Sequence, residues 1–282
     1  MPIITLSEPF PVSNMSHRFL VDFDACAVHF ARKYILKERG EMGDNMTQNP
    51  AALIGSAIHK SLEKFHDTPP ALRDDRTEGT LHAALAQFWP LRADLFSSPE
   101  QEVRERDAAQ AALTHYYDDF LDDYLQPSVD IAPKTWLSRL SASYTAYPDR
   151  VYYDEDGNLR LIDYKYQQTL SHSEETIRTD LQILTYAFAV AMQTKRVPDS
   201  IGLYFLRQRE LIEFSPNRED LIRAYDWIHE QKARIEATTQ FRARFNEASC
   251  KYCEFFRRCG EANVPIAAVD DLAEVLAAMD ST

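Results

Sequence analysis

The chain has 282 residues, 45% of them hydrophobic, enough for a sizeable core in one large domain or two small ones. No apolar run is long enough to span a bilayer, and residues 1–15 lack the basic, apolar and small-residue order of a secretory signal. Four cysteines are too few for a disulfide scaffold at this length, so the expectation is a soluble protein of a reducing, cytoplasmic compartment with no membrane partner. The net charge of −13 argues by itself against nucleic acid, but the charge is uneven. Acid collects in "YYDDFLDDYLQPSVD" and "VDDLAEVLAAMDST", and base in "ARKYILKERG" and "KYCEFFRRCG".

Taken in chain order, residues 1–15 read as extended, with prolines at 2, 9 and 11. Apolar spacing predicts a helix over 16–37 that contains Cys26, then a loop, then a helix over 51–66 stopped by Pro69 and Pro70. Residues 76–126 read as two helices broken at "SSPE", where Ser98 can cap and Pro99 suits a first turn. From Trp136 to Lys165 the pattern becomes β, with a hairpin turn at Asp156-Gly157-Asn158. A helix over 174–194, strands in "SIGLYFLRQ" and "RELIEF", and a helix over 216–245 follow. Cysteine-rich turns and a short tail helix end the chain.

The hairpin "PDRVYYDEDGNLRLIDYKY" carries chemistry where a half-buried hairpin has no need of it. Asp149 opens one strand, and Asp163 lies near the end of its partner. Adjacent strands are under ~5 Å apart, and two carboxylates that close repel unless a cation lies between them. A divalent ion with oxygen ligands meets that need. Lys165, two residues after Asp163, projects to the same face. Tyr164 points away, but its backbone carbonyl can still reach a metal. The set suits phosphodiester hydrolysis, with the ammonium of Lys165 positioning groups around the phosphate. Spacing alone leaves open an ordinary surface hairpin held by ion pairs.

Two helices add candidates. Gly55 and His59 share a face of the first, and His59 can give a nitrogen to the metal. Gln182 and Tyr186 share a face of the second, within reach of phosphate or of the lysine. In "CKYCEFFRRC", Cys250, Cys253 and Cys259 have the spacing of metal-binding thiolates, and Cys26 is the only cysteine left to complete four. Spacing does not separate zinc from an iron–sulfur cluster.

The joint order of these motifs resembles the PD-(D/E)XK nuclease superfamily, in its RecB-like branch with an iron–sulfur cluster, which includes Cas-four-type, AddB and exonuclease V-like nucleases. "GSAIH" is similar to the GxxxH motif at Gly55 and His59. Pro148 and Asp149 with "DYK" at Asp163–Lys165 resemble the name-giving signature. "QILTY" is similar to QxxxY at Gln182 and Tyr186, and the four cysteines resemble the cluster clasp. The resemblance implies His59, Asp149 and Asp163 as ligands of Mg²⁺ or Mn²⁺, and Lys165 as catalytic. It also implies a four-iron, four-sulfur (4Fe–4S) cluster on Cys26, Cys250, Cys253 and Cys259 in preference to zinc. The chain departs from the pattern after the lysine, where "KYQQ" stands in place of a glycine.

The expected fold is an α/β restriction-endonuclease-like core, a small mixed sheet formed by about 136–214 and flanked by helices 51–66 and 174–194. The expected organisation is an N-terminal helical segment (1–50), a nuclease core (51–66 and 136–245), a helical insertion (67–135), a cysteine segment (246–262) and a tail (263–282). The expected activity is metal-dependent DNA cleavage, foremost as an exonuclease on single strands or frayed ends. The alternative is a DNA-binding or assembly subunit of a DNA-processing or CRISPR-adaptation complex, in which cutting is weak, absent or done by a partner. A protein partner is expected in a DNA repair, recombination or CRISPR-adaptation complex.

Overall fold

The computed structural model describes residues 3–40, 50–67, 78–90, 95–124, 134–170 and 172–260. Strands β1 (Ile3–Thr5) and β2 (Asn14–Met15) precede helix α1 (His17–Ala25), whose N-cap Ser16 accepts from the Phe19 N–H at 3.3 Å. The single helix expected over 16–37 is divided. Cys26 has an extended backbone (φ −160°, ψ 110°) that ends α1 and opens α2 (Ala27–Phe30), and a π-helical turn follows at Ala31–Ile35. Cysteine is a weak helix former, so this position gives way at little cost.

Helices α3 (Pro50–His66), α4 (Glu78–Phe88) and α5 (Pro99–Tyr124) come next. Pro50 and Pro99 both occupy first turns, where a missing N–H costs nothing. On α3 the buried residues Ile54, Ala57, Ile58, Ser61, Leu62 and Phe65 form one stripe at helical spacing. Strands β3 (Lys134–Leu137) and β4 (Ala142–Thr145) belong to a separate three-stranded sheet. This corrects the expected extent of the sheet that holds the carboxylates. Pro148 follows β4, lacks an N–H for a ladder and separates the two sheets along the chain.

The carboxylate-bearing sheet has four strands in the order β5 (Arg150–Tyr153), β6 (Leu159–Lys165), β7 (Ser200–Phe205), β8 (Glu210–Phe214). It is mixed: β6 runs antiparallel to β5 and parallel to β7, and β7 runs antiparallel to β8. The β5–β6 turn is closed by Asp154, whose carboxylate accepts from the N–H groups of Asp156 and Asn158, while Gly157 takes φ +77°. Between β6 and β7 lie α6 (Glu174–Ile177) and α7 (Leu181–Thr194). The continuous helix expected over 174–194 is interrupted at Arg178–Asp180, and Asp180 caps α7 by accepting from Gln182 N–H at 2.7 Å.

Helix α8 (Arg218–Glu236), strand β9 (Gln240–Arg242) and the short helices α9 (Glu247–Cys250) and α10 (Phe256–Gly260) complete the described chain. The helix expected over 216–245 stops early. The Thr238 hydroxyl bonds the Arg234 carbonyl at 2.7 Å, and β9 then pairs with β1, Ile3 opposite Arg242. The tail helix read at 263–282 lies outside the described residues.

The chain divides into two compact units, Met1–Gln48 with Leu137–Ser143 and Ile228–Thr282, and Asn49–Trp136 with Tyr144–Trp227. In the first unit Phe19 and Phe23 meet Phe30 edge-on, and Phe30 stacks on Phe241 with centroids 6.2 Å apart. In the second, α3, α4 and α5 bury their apolar faces against Tyr152, Ile162, Tyr164 and Tyr204 of the four-stranded sheet. Strand alternation turns Asp163 and Lys165 to the opposite face, toward α7. Among the described residues, no helix is long and apolar enough to cross a membrane.

Candidate active site

The site is built at the end of β6 by four segments of one unit: α3, the residue before β5, β6 itself and α7. Asp149, just before β5, is held from two sides: Oδ1 lies 2.8 Å from His59 Nδ1 of α3, and Oδ2 accepts the Tyr164 N–H at 2.7 Å. Asp163 is 4% exposed, and its Oδ2 lies 2.6 Å from Lys165 Nζ. The ammonium is off the direction of a hydrogen bond, so this buried oxygen has an ionic neighbour but no directed donor. Lys165 instead donates to Gln182 Oε1 at 3.0 Å, and Gln182 Nε2 donates to the Tyr186 hydroxyl at 3.0 Å. The structure therefore brings His59, Asp149, Asp163, Lys165, Gln182 and Tyr186 into one connected set.

The charges follow from this packing. Burial pushes the Asp163 carboxyl up to about 7, and the charge of Asp149 adds to the rise against the opposing pull of Lys165. For His59, burial works to lower the pKa, but the hydrogen bond and charge of Asp149, with Asp163 beyond, outweigh it and raise it. Burial likewise opposes the Lys165 ammonium, and the charge and contact of Asp163, then Asp180 and Asp149, hold it protonated.

The family model described as the PD-(D/E)XK nuclease superfamily matches residues 14–260. The chain belongs to this superfamily. No curated protein matches the sequence significantly. A solved structure described as "Crystal structure of SSO0001" is similar over 75% of this chain and 98% of that one, at 12% identity and a TM-score of 0.31, too distant a likeness to carry an argument.

Membership of the PD-(D/E)XK superfamily implies a metal-dependent nuclease that hydrolyses phosphodiester bonds. Its donors fit a hard divalent cation: two carboxylates and an imidazole, with one buried carboxylate oxygen that lacks a directed donor. As they stand the side chains contact one another directly, and among the described residues no group of three or more His, Cys, Asp or Glu is arranged as a metal cage. Tyr164 turns its ring into the core, its hydroxyl 2.6 Å from that of Tyr116. Its N–H faces the β5 edge, and since N–H and C=O of one strand residue point to the same edge, its carbonyl opens there too.

Sequence reading missed three parts of this PD-(D/E)XK site. Asp180 caps α7 and acts electrostatically on Lys165, and an acidic residue just before an apolar helical run is the signal that marks it. His66 and Tyr116 support Tyr164 from behind, with His66 Nε2 2.6 Å from the Tyr116 hydroxyl. Buried Arg150 donates to that same hydroxyl at 3.2 Å and lies over the Tyr152 ring. No local pattern announces these contacts, which join residues far apart in sequence.

Cys26, Cys250, Cys253 and Cys259 are free thiols of the other unit. Burial pushes Cys253 up to about 12 and Cys259 up to about 11, and neighbouring cysteines contribute to both shifts. His29 Nδ1 lies 3.4 Å from Cys253 Sγ. Among the described residues the thiols do not form a metal-holding group, so the iron–sulfur expectation rests on spacing and resemblance.

Proposed function

We propose that the chain is a divalent-metal-dependent deoxyribonuclease of the RecB-like branch, acting as an exonuclease on single-stranded DNA or frayed ends. The observation that carries this is Lys165, fixed between Asp163 and Gln182 beside the His59–Asp149 pair. Hydrolysis adds a water oxygen to phosphorus and releases the sugar oxygen, which takes a proton. Mg²⁺ or Mn²⁺ held by His59, Asp149 and Asp163, with the Tyr164 carbonyl, would neutralise phosphate charge and acidify the attacking water. Lys165 stays protonated beside its carboxylates and offsets the negative charge that builds on the phosphoryl oxygens. Gln182 and Tyr186 fix the direction of the ammonium. His59 and the Tyr164 N–H hold Asp149 in a single orientation.

The four cysteines would bind a 4Fe–4S cluster, with zinc as the other group that thiolates accept. Their spacing and the resemblance to the clasp of the RecB-like branch support this reading. A protein partner in DNA repair, recombination or CRISPR adaptation fits the same reading.

The test is cleavage of end-labelled DNA by pure protein in Mg²⁺ and Mn²⁺, with Lys165→Ala alongside. Metal-dependent cleavage by the wild type and its loss in the variant are expected. Equal cleavage by both proteins would overturn the assignment.

A further inference from the structure

We infer that Tyr147 forms a stacking subsite for one unpaired nucleobase next to the scissile phosphate, so that the site selects single-stranded DNA. This rests on the nuclease reading above and deepens it.

Among the exposed large apolar side chains of the described residues, Tyr147 is the most exposed, at 61%. A tyrosine in a folded protein ordinarily buries its ring or finds a partner for its hydroxyl. Several other described tyrosines are placed differently. Tyr116, Tyr164, Tyr186 and Tyr204 are buried and hydrogen-bonded, and Tyr153, Tyr166 and Tyr252 each lie under a basic side chain. Tyr147 has neither a hydrogen bond, an ion pair nor a ring contact among the described residues. Among the described residues, no such contact accounts for a ring held in water.

Its position supplies a reason. Tyr147 lies two residues before Asp149, on the link from β4 to β5. At a strand's rise per residue the two Cα atoms are at most ~7 Å apart. That span suits a base flanking a phosphate bound at Asp149. The neighbourhood is also open. Gly55 stands one helical turn before His59, which contacts Asp149, and a Cβ built on Gly55 would meet nothing within 4 Å. Among the described residues, the α3 face one turn before His59 therefore has room beside it.

Stacking reads the π-face of a base and tolerates any sequence. In a duplex both faces of an internal base are already covered by its neighbours, so a single aromatic platform favours an unpaired strand or a frayed end. Tyr147 is thus a specificity-determining residue, distinct from the groups that act on the phosphate.

The experiment measures binding and cleavage separately. Fluorescence anisotropy of a labelled single-stranded oligonucleotide and of the matching duplex is recorded in Ca²⁺ with wild type, Tyr147→Phe and Tyr147→Ala, and cleavage of both DNAs is followed in Mn²⁺. Tyr147→Ala should weaken single-strand binding about tenfold to a hundredfold. It should raise KM with little change in kcat and leave duplex binding as it was, and Tyr147→Phe should behave as wild type. An abasic nucleotide beside the cleaved bond should penalise the wild type and add nothing in Tyr147→Ala. Single-strand binding by Tyr147→Ala within twofold of wild type, or equal losses on both DNAs, would overturn the subsite. A wild type that shows the stacking pattern in binding but never cleaves would overturn the nuclease reading and keep the subsite. A wild type that binds neither DNA would overturn both.

Discussion

Gln182 accepts a hydrogen bond from Lys165 Nζ and donates one to the Tyr186 hydroxyl, both at 3.0 Å. One amide thus fixes a strand lysine to a helix tyrosine. The acceptor end cannot swing away without breaking the donor end, so Lys165 is aimed by α7. Replacing Gln182 by Ala should lower kcat about tenfold to a hundredfold while KM changes little, because a charge misplaced by an ångström loses that much. Steady-state cleavage kinetics decide it, and an unchanged kcat would remove Gln182 from the machinery.

His59→Ala should weaken Mn²⁺ binding more than Mg²⁺ binding, because imidazole suits transition metals. It also frees Asp149 Oδ1 from its 2.8 Å contact. Calorimetric titration of each ion into metal-stripped protein tests this. Equal affinities before and after substitution would show that His59 is no ligand.

Gly55→Ala should make the protein more stable by about 1 kcal/mol, the usual gain for alanine over glycine inside a helix. Nothing lies within 4 Å to resist the added methyl. The same methyl narrows the open space beside His59, so KM for DNA should rise. A variant both more stable and fully active would show that the glycine leaves no room that substrate uses.

Tyr164→Phe separates support from chemistry. It deletes one of two hydroxyls packed 2.6 Å apart and should cost about 1–3 kcal/mol in denaturant unfolding. The backbone N–H that holds Asp149 remains. Cleavage should therefore stay within about threefold of wild type, and a hundredfold loss would mean that the phenol itself shapes the metal site.

Protein purified without oxygen should be brown and contain iron and sulfide, and Cys26→Ser should bleach it as fully as Cys253→Ser. The motivation is the CxxC spacing of Cys250 and Cys253 with Cys259 six residues on, which leaves Cys26 as the fourth cysteine of the chain. Stoichiometric zinc with no iron would sink the cluster.

Much of the site could be read from spacing because its chemistry needs fixed intervals. Asp163 and Lys165 share a face by the two-residue period of a strand, and Gln182 and Tyr186 by the four-residue period of a helix. The contacts of His59 with Asp149, and of Tyr116 with Tyr164, join residues far apart in sequence. For the first a family motif pointed the way, and for the second nothing did. Errors at element ends have the same origin. Residues 240–242 continue a helical pattern locally, yet they become a strand because β1, at the other end of the chain, offers a partner. Cys26 interrupts a helix that its neighbours would continue.

The compact unit that contains Phe30 and Phe241 is assembled from three separate stretches, Met1–Gln48, Leu137–Ser143 and Ile228–Thr282. During synthesis Phe19, Phe23 and Phe30 leave the ribosome early, while Phe241 is added only after the whole of the other unit has been made. At usual elongation rates that interval is on the order of ten seconds or more. For that time the aromatic side chains of α1 and α2 have no completed core, and a nascent chain in this state is a natural client for a chaperone that shields apolar segments. A message cut short before Phe241 would encode every residue of the Asp149–Lys165 hairpin and of α7. Its product would still carry the aromatic cluster of Phe19, Phe23 and Phe30 without Phe241 to close over it.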